Sequence, residues 1–146
     1  MSITYNVKAD TDIFGDAHLN QLRIVIADDS PALLHQMVHL LQAEFTVVAI
    51  AENGLSALDL IRQHRPDVVV LDLNMPVVNG LEVIRQLTWC ASTARIVICS
   101  AESDPEIIQS TRQAGALGYV FKTSMIQDLM AAVKAAALGV AFVSSL

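Results

Sequence analysis

Apolar residues along this chain fall into two alternating kinds of run. Five short, continuous runs rich in β-branched residues, RIVIA (23–27), TVVAI (46–50), DVVVL (67–71), RIVIC (95–99) and GYVF (118–121), predict strands. Their apolar character does not alternate with polar residues, which suits strands covered on both faces. Between them the apolar positions recur at helical spacing: Leu33, Leu34, Met37, Val38, Leu40 and Leu41 in one segment, Leu55, Leu58 and Ile61 in the next. Ser30 followed by Pro31 supplies an N-cap and a first helical residue. Gly54, Gly80 and Pro105 punctuate further helix starts, and Pro66 closes the second helix before its strand. Strand and helix thus alternate five times, predicting an α/β fold with right-handed crossovers and a parallel sheet wrapped by helices.

In such sheets ligands bind outside the carboxyl ends of the strands, so the residue after each run is informative. Asp28 and Asp29 follow the first strand, Asp72 the third, Ser100 the fourth and Lys122 the fifth; the second ends blandly at Ala51. One acid near a helix start needs only the helix dipole to explain it. Three are different, because carboxylates about 4 Å apart repel by roughly 4 kcal/mol per pair at an effective dielectric near 20. A proton or cation must join them. Mg²⁺ takes oxygen ligands in near-octahedral geometry and commonly pairs one or two carboxylates with a phosphate. Asp29 and Asp72 could serve directly with Asp28 holding a coordinated water, while Lys122 and Ser100 offer donors to phosphate oxygens. One of the aspartates could itself accept the phosphoryl group, forming an aspartyl phosphate.

Composition narrows the field. With 146 residues and 53% hydrophobic content the chain suffices for one domain with a sizeable core. Nine Lys and Arg against fifteen Asp and Glu, a net charge of -6, argue against a nucleic-acid-binding surface. Cys90 and Cys99 fit neither a disulfide framework nor a zinc pattern, which favours reduced thiols and a cytoplasmic setting. His35 and His39 are spaced i, i+4 but have no following glutamate or third ligand, so surface histidines are the better reading than zinc. Residues 1–20 lack a signal-peptide core and a clear period, and are expected to form a flexible arm. The stretch LMAAVKAAALGVAFV (129–143) carries Lys134 and Gly139 and is too short to span a membrane, for which roughly 18 to 20 apolar residues are required. It belongs to a final helix, from about Met125 to Leu138, that is apolar nearly all round. Such a helix should be covered on more than one face, so its outer surface, with the fourth helix near Pro105 to Gln113, is expected to form a partner or dimer contact.

Asp28-Asp29, LDLNMPVVNGLE (71–82), ICSAE (98–102) and GYVFK (118–122), in this order and spacing, closely resemble the receiver domain of bacterial two-component response regulators. The resemblance covers residues 21–139, leaving 1–20 as the arm and 140–146 as a tail or the start of a linker. It implies a flavodoxin-like, doubly wound, five-stranded parallel sheet of order 2-1-3-4-5 with five helices. It also makes Asp72 the phosphoacceptor, with Asp28, Asp29, Asp72 and the Asn74 backbone carbonyl as the Mg²⁺ site. Ser100 matches the switch hydroxyl, Tyr119 the switch aromatic and Lys122 the phosphate-pairing lysine; Ala101 leaves the ring a path. Met75, Pro76 and Gly80 fit the turn after the acceptor. Thr123 departs from the pattern, since the family usually has Pro there, often after a cis bond; the Lys122 loop geometry is therefore left open.

The implied function is a phosphoacceptor that takes part in phosphotransfer and its own dephosphorylation, charged by a sensor histidine kinase or phosphotransfer protein. It then switches the face of the fourth helix, fifth strand and fifth helix, a possible homodimer contact. The ending GVAFVSSL resembles receivers of the NarL/FixJ type, whose next domain is a LuxR-type helix-turn-helix, so transcriptional control through an output domain absent from this chain is expected. A stand-alone receiver acting by protein contacts, or a degenerate receiver serving only as a binding module, is the alternative. A haloacid-dehalogenase-like phosphatase would want an aspartate where Asn74 stands.

Overall fold

A computed structural model of the chain describes residues 21–145; the expected N-terminal arm lies outside them. Strands β1 (Arg23–Ala27), β2 (Thr46–Ala51), β3 (Val68–Leu71), β4 (Arg95–Ser100), β5 (Gly118–Phe121) and β6 (Phe142–Val143) form one sheet of order β2-β1-β3-β4-β5-β6. Every neighbouring pair is parallel. Helices α1 (Pro31–Leu41), α2 (Gly54–His64), α3 (Gly80–Trp89), α4 (Pro105–Ala114) and α5 (Met125–Ala137) supply the crossovers. This is the flavodoxin-like arrangement expected, with one short strand added at its edge.

Side chains alternate across each strand and divide the core into two layers. Ile24, Ile26, Val68, Val70, Val97, Cys99 and Val120 pack beneath α1 and α5. Val25, Ala27, Val69, Leu71, Ile96, Ile98, Tyr119 and Phe121 pack on the other face, against α2, α3 and the inner side of α4. Burial on both faces is why the strand runs carry no polar alternation.

The helix starts place the loops around the strand ends. Ser30, Asn53, Asn79 and Asp104 cap α1 to α4, each side chain accepting a backbone N–H of the first turn. Gly54 and Gly80 are required by close approach: a Cβ on Gly54 would lie 1.7 Å from the Val78 carbonyl oxygen, and one on Gly80 2.2 Å from that of Asp72. The α2 and α3 starts are thereby pressed onto the loop that follows β3. Within that loop the exposed Val77 sits at φ 70°, a left-handed conformation unusual for a β-branched residue.

Residues 140–146, expected to be tail or linker, contribute β6. At the end of α5, Gly139 takes φ 75°, Val140 N–H donates to Ala135 C=O and Gly139 N–H to Ala136 C=O. This Schellman turn reverses the chain along β5. The expected contact face therefore changes at its centre: β5 is buried along its whole length and β6 stands at the sheet edge in its place. No helix among the described residues is long and apolar enough to cross a membrane.

Candidate functional site

The carboxyl ends of β1, β3, β4 and β5 converge, because parallel strands in register finish at one edge of the sheet. Asp28 N–H donates to the Ala51 carbonyl and Asp72 N–H to that of Ala27, so both acids are held at the last rung of the ladder. Asp28 is 0% and Asp72 2% exposed, whereas Asp29 faces solvent. One carboxylate oxygen from each of Asp28, Asp29 and Asp72 falls within 4.8 Å of the others, the single such acidic or metal-ligating cluster among the described residues.

Lys122 reaches into this cluster. Its Nζ lies 3.0 Å from Asp28 Oδ2 and 3.1 Å from Asp72 Oδ2, donating a hydrogen bond to the latter. Burial works against the ammonium, yet its contacts with Asp28 and Asp72 prevail and hold its pKa above the ordinary lysine value. Asp72 is displaced upward chiefly by burial, with the Asp28 charge adding to it and Lys122 opposing both. Asp28 Oδ1 accepts the Ser30 N–H at 2.8 Å. Asp72 Oδ1 is buried without a hydrogen-bond partner, and the buried Asp28 Oδ2 has only the Lys122 ammonium beside it. A buried acceptor left over within a cluster of three acids constitutes a donor set suited to a hard, oxygen-seeking dication with its waters.

The switch residues of the sequence reading lie on the next two strands. Ser100 is fully buried, its Oγ accepting the Glu102 N–H at 3.1 Å. Tyr119 is 2% exposed, with its ring edge-on to Phe121 at 5.7 Å between centroids. Its hydroxyl donates to the Glu102 carbonyl at 2.7 Å. Burial pushes the Tyr119 pKa up, and a hydrogen bond with Ser100 opposes the shift. Glu102 went unnoticed in the sequence, although it closes the ICSAE stretch. Its carboxylate accepts the N–H groups of Ser103 and Asp104 and so shapes the loop into α4.

Asn74 and Thr123 complete the picture. The Asn74 side chain is exposed, in the loop directly after Asp72. No cis peptide bond occurs among the described residues, so the Lys122–Thr123 bond is trans and opens a 3-10 turn over Lys122–Ser124. His35 and His39 both lie exposed on α1, away from any cluster of metal-ligating groups. Cys90 is an exposed free thiol, and Cys99 a buried one whose pKa is pushed up to about 12, mainly by burial.

Comparison with known proteins bears on the fold and the family. DegU of Brevibacillus brevis, a transcriptional regulatory protein, is 34% identical over 126 residues, 85% of this chain and 53% of that protein. The chemotaxis protein CheY of Bacillus subtilis is 33% identical over 113 residues, 76% of this chain and 93% of that protein. The signal receiver domain of NarL from Mycobacterium tuberculosis superposes with a TM-score of 0.78 at 33% identity, covering 82% of this chain and 98% of that one. The chain spans about half the length of the regulators it matches, 53% for DegU and 55% for the nitrate/nitrite response regulator NarL of Escherichia coli K12. Residues 24–134 match the response regulator receiver domain model, and the chain belongs to that family, with NarL- and DegU-type regulators among its relatives.

Proposed function

We propose that Asp72 is the phosphoacceptor of a two-component signalling pathway and that Asp28, Asp29, Asp72 and the Asn74 carbonyl hold Mg²⁺ beside it. The observation that carries this reading is the Lys122 ammonium held between Asp28 and Asp72 while Asp72 Oδ1 stays buried and unpartnered. A carboxylate oxygen kept free of hydrogen bonds remains a competent nucleophile, and a cation at hand can pair the arriving phosphoryl oxygens.

An Asp72 oxygen forms a bond to the phosphorus of a phosphohistidine on a sensor kinase or phosphotransfer protein. The P–N bond breaks, its electron pair returns to the imidazole, and Asp72 becomes an acyl phosphate. The bound dication would neutralise charge on the phosphoryl oxygens during this transfer. Lys122 moves its pairing from Asp72 to the new phosphoryl oxygens, and the Ser100 hydroxyl supplies a further donor. Water later splits the acyl phosphate, returning the carboxylate and inorganic phosphate. Contacts present only with the phosphoryl group favour one arrangement of β4, β5 and α4, in which Tyr119 takes part.

That change is read out on the surface of α4, β6 and α5, where Ile107, Val143 and Ile126 are exposed apolar residues suited to a partner or second copy. By likeness to the DegU- and NarL-type regulators, the output is control of transcription in the cytoplasm through a further domain, with no direct nucleic-acid contact by this chain. Incubation with acetyl phosphate and Mg²⁺ followed by intact-mass measurement tests the reading. One phosphoryl adduct is expected, lost without Mg²⁺ and in Asp72→Ala. Persistence of the adduct in Asp72→Ala would move the acceptor elsewhere and overturn the assignment.

A further inference from the structure

Ser144 is a polar side chain 6% exposed, next to the last residue described, and it has no place in the acceptor chemistry above. Its hydrogen bonds go to β5. Ser144 N–H donates to the Tyr119 carbonyl at 2.9 Å, and its Oγ accepts the Phe121 N–H at 3.3 Å in a buried setting. Phe121 is the last residue of β5, and the next residue is Lys122. A side-chain oxygen thus takes the final outward N–H of the strand, where a longer β6 would have offered a backbone carbonyl.

The position of that peptide matters because Lys122 has to satisfy two fixed acids at once. Asp28 and Asp72 are tied to the ladder, so the Lys122 backbone has to stand where its ammonium reaches both, at 3.0 and 3.1 Å. Downstream, Thr123 lacks the proline ring that would lock φ, and the chain is held there by the Met125 N–H donating to the Lys122 carbonyl across the 3-10 turn. On the strand side Ser144 adds a hydrogen bond to the preceding peptide.

We propose that Ser144 is a positioning residue for the acceptor site: its hydroxyl holds the Phe121 peptide, and with it the Lys122 backbone, where one ammonium spans Asp28 and Asp72. The proposal rests on the phosphoacceptor reading, and it makes the segment after α5 part of the site's framework. Ser144→Ala keeps the backbone bond to Tyr119 but removes the acceptor for Phe121. Phosphorylation by acetyl phosphate should then proceed with a maximal rate lower by about three- to tenfold, the loss of one net hydrogen bond. Half-saturation by Mg²⁺ should not move, since the acids are untouched. Ser144→Thr keeps the hydroxyl and should restore the rate; Ser144→Cys, a weaker acceptor of similar size, should fall between.

Val143→Ala serves as the control, because it trims β6 without touching the Phe121 N–H. A wild-type rate in Ser144→Ala overturns the proposal, as does an equal loss in Val143→Ala, which would make the effect one of edge stability alone. Failure of Ser144→Thr to restore the rate counts against it equally, and keeps the test decisive where Ser144→Ala folds poorly. If the wild-type chain acquires no phosphoryl group, the acceptor reading itself falls and the proposal with it; normal wild-type phosphorylation with an indifferent Ser144 removes the proposal only.

Discussion

Asp72 stands in a place that disfavours its charge. Its pKa is raised above the ordinary 3.8 by burial first and by Asp28 next, against the opposing pull of Lys122. A raised folded-state pKa means that the contribution of the neutral acid to stability is fully present below the unfolded value and is lost as pH rises through the folded one. At neutral pH without metal, Asp72→Asn is therefore expected to be more stable than the wild type in urea titrations. The difference should shrink on acidification and vanish below about pH 3.8, where both side chains are neutral. A variant less stable at neutral pH would show that the Lys122 contact outweighs desolvation. At this scale the sequence was informative for a simple reason. Asp28, Asp72, Ser100 and Lys122 each directly follow an apolar run, with Asp29 next to Asp28, so their convergence was a consequence of strand register. Glu102 and Ser144 escaped notice because they act through backbone groups, for which residue type carries little signal.

Elements meet the site through their ends. Gly54 opens α2, yet the space for its missing Cβ is occupied by the Val78 carbonyl of the loop after Asp72, 1.7 Å from where the atom would be. Gly54→Ala must therefore push the α2 start and the acceptor loop apart. A loss of about 3 kcal/mol is expected in chemical denaturation, the upper part of the range for overpacking. Phosphorylation by acetyl phosphate should slow at the same time, as Asn74 moves with its loop. An unaffected phosphorylation rate in a destabilised variant would uncouple α2 from the site. The sequence marked Gly54 and Gly80 as helix starts, which they are, but the carbonyls facing them belong to another part of the chain and are invisible to local reading. β6 was missed on similar grounds: two residues carry no period, and only the Gly139 turn delivers them to β5.

Considered as a whole, the molecule gathers its least compensated charge at one edge of the sheet, with two large apolar layers behind it. A dication bound there should stabilise the folded state by mass action. At about one hundred times its Kd, Mg²⁺ is expected to raise unfolding free energy by about 2.7 kcal/mol, read as an increase in Tm. The rise should disappear in Asp29→Asn, whose side chain is exposed and whose substitution leaves the core intact. An undiminished Mg²⁺ effect in that variant would place the ion away from the cluster. The overall fold was the most legible feature of all, since five βα alternations with doubly buried strands admit few other topologies.

The short β6 has a colloidal consequence. An open sheet ordinarily has two raw borders through which copies can stack without end, but here one border is closed off by a two-residue strand that offers a newcomer almost nothing to pair with. Among the described residues only the β2 border is long enough for such pairing, and a sheet with a single border of that kind can join one neighbour and then stop, with no second described border from which growth into fibres could propagate.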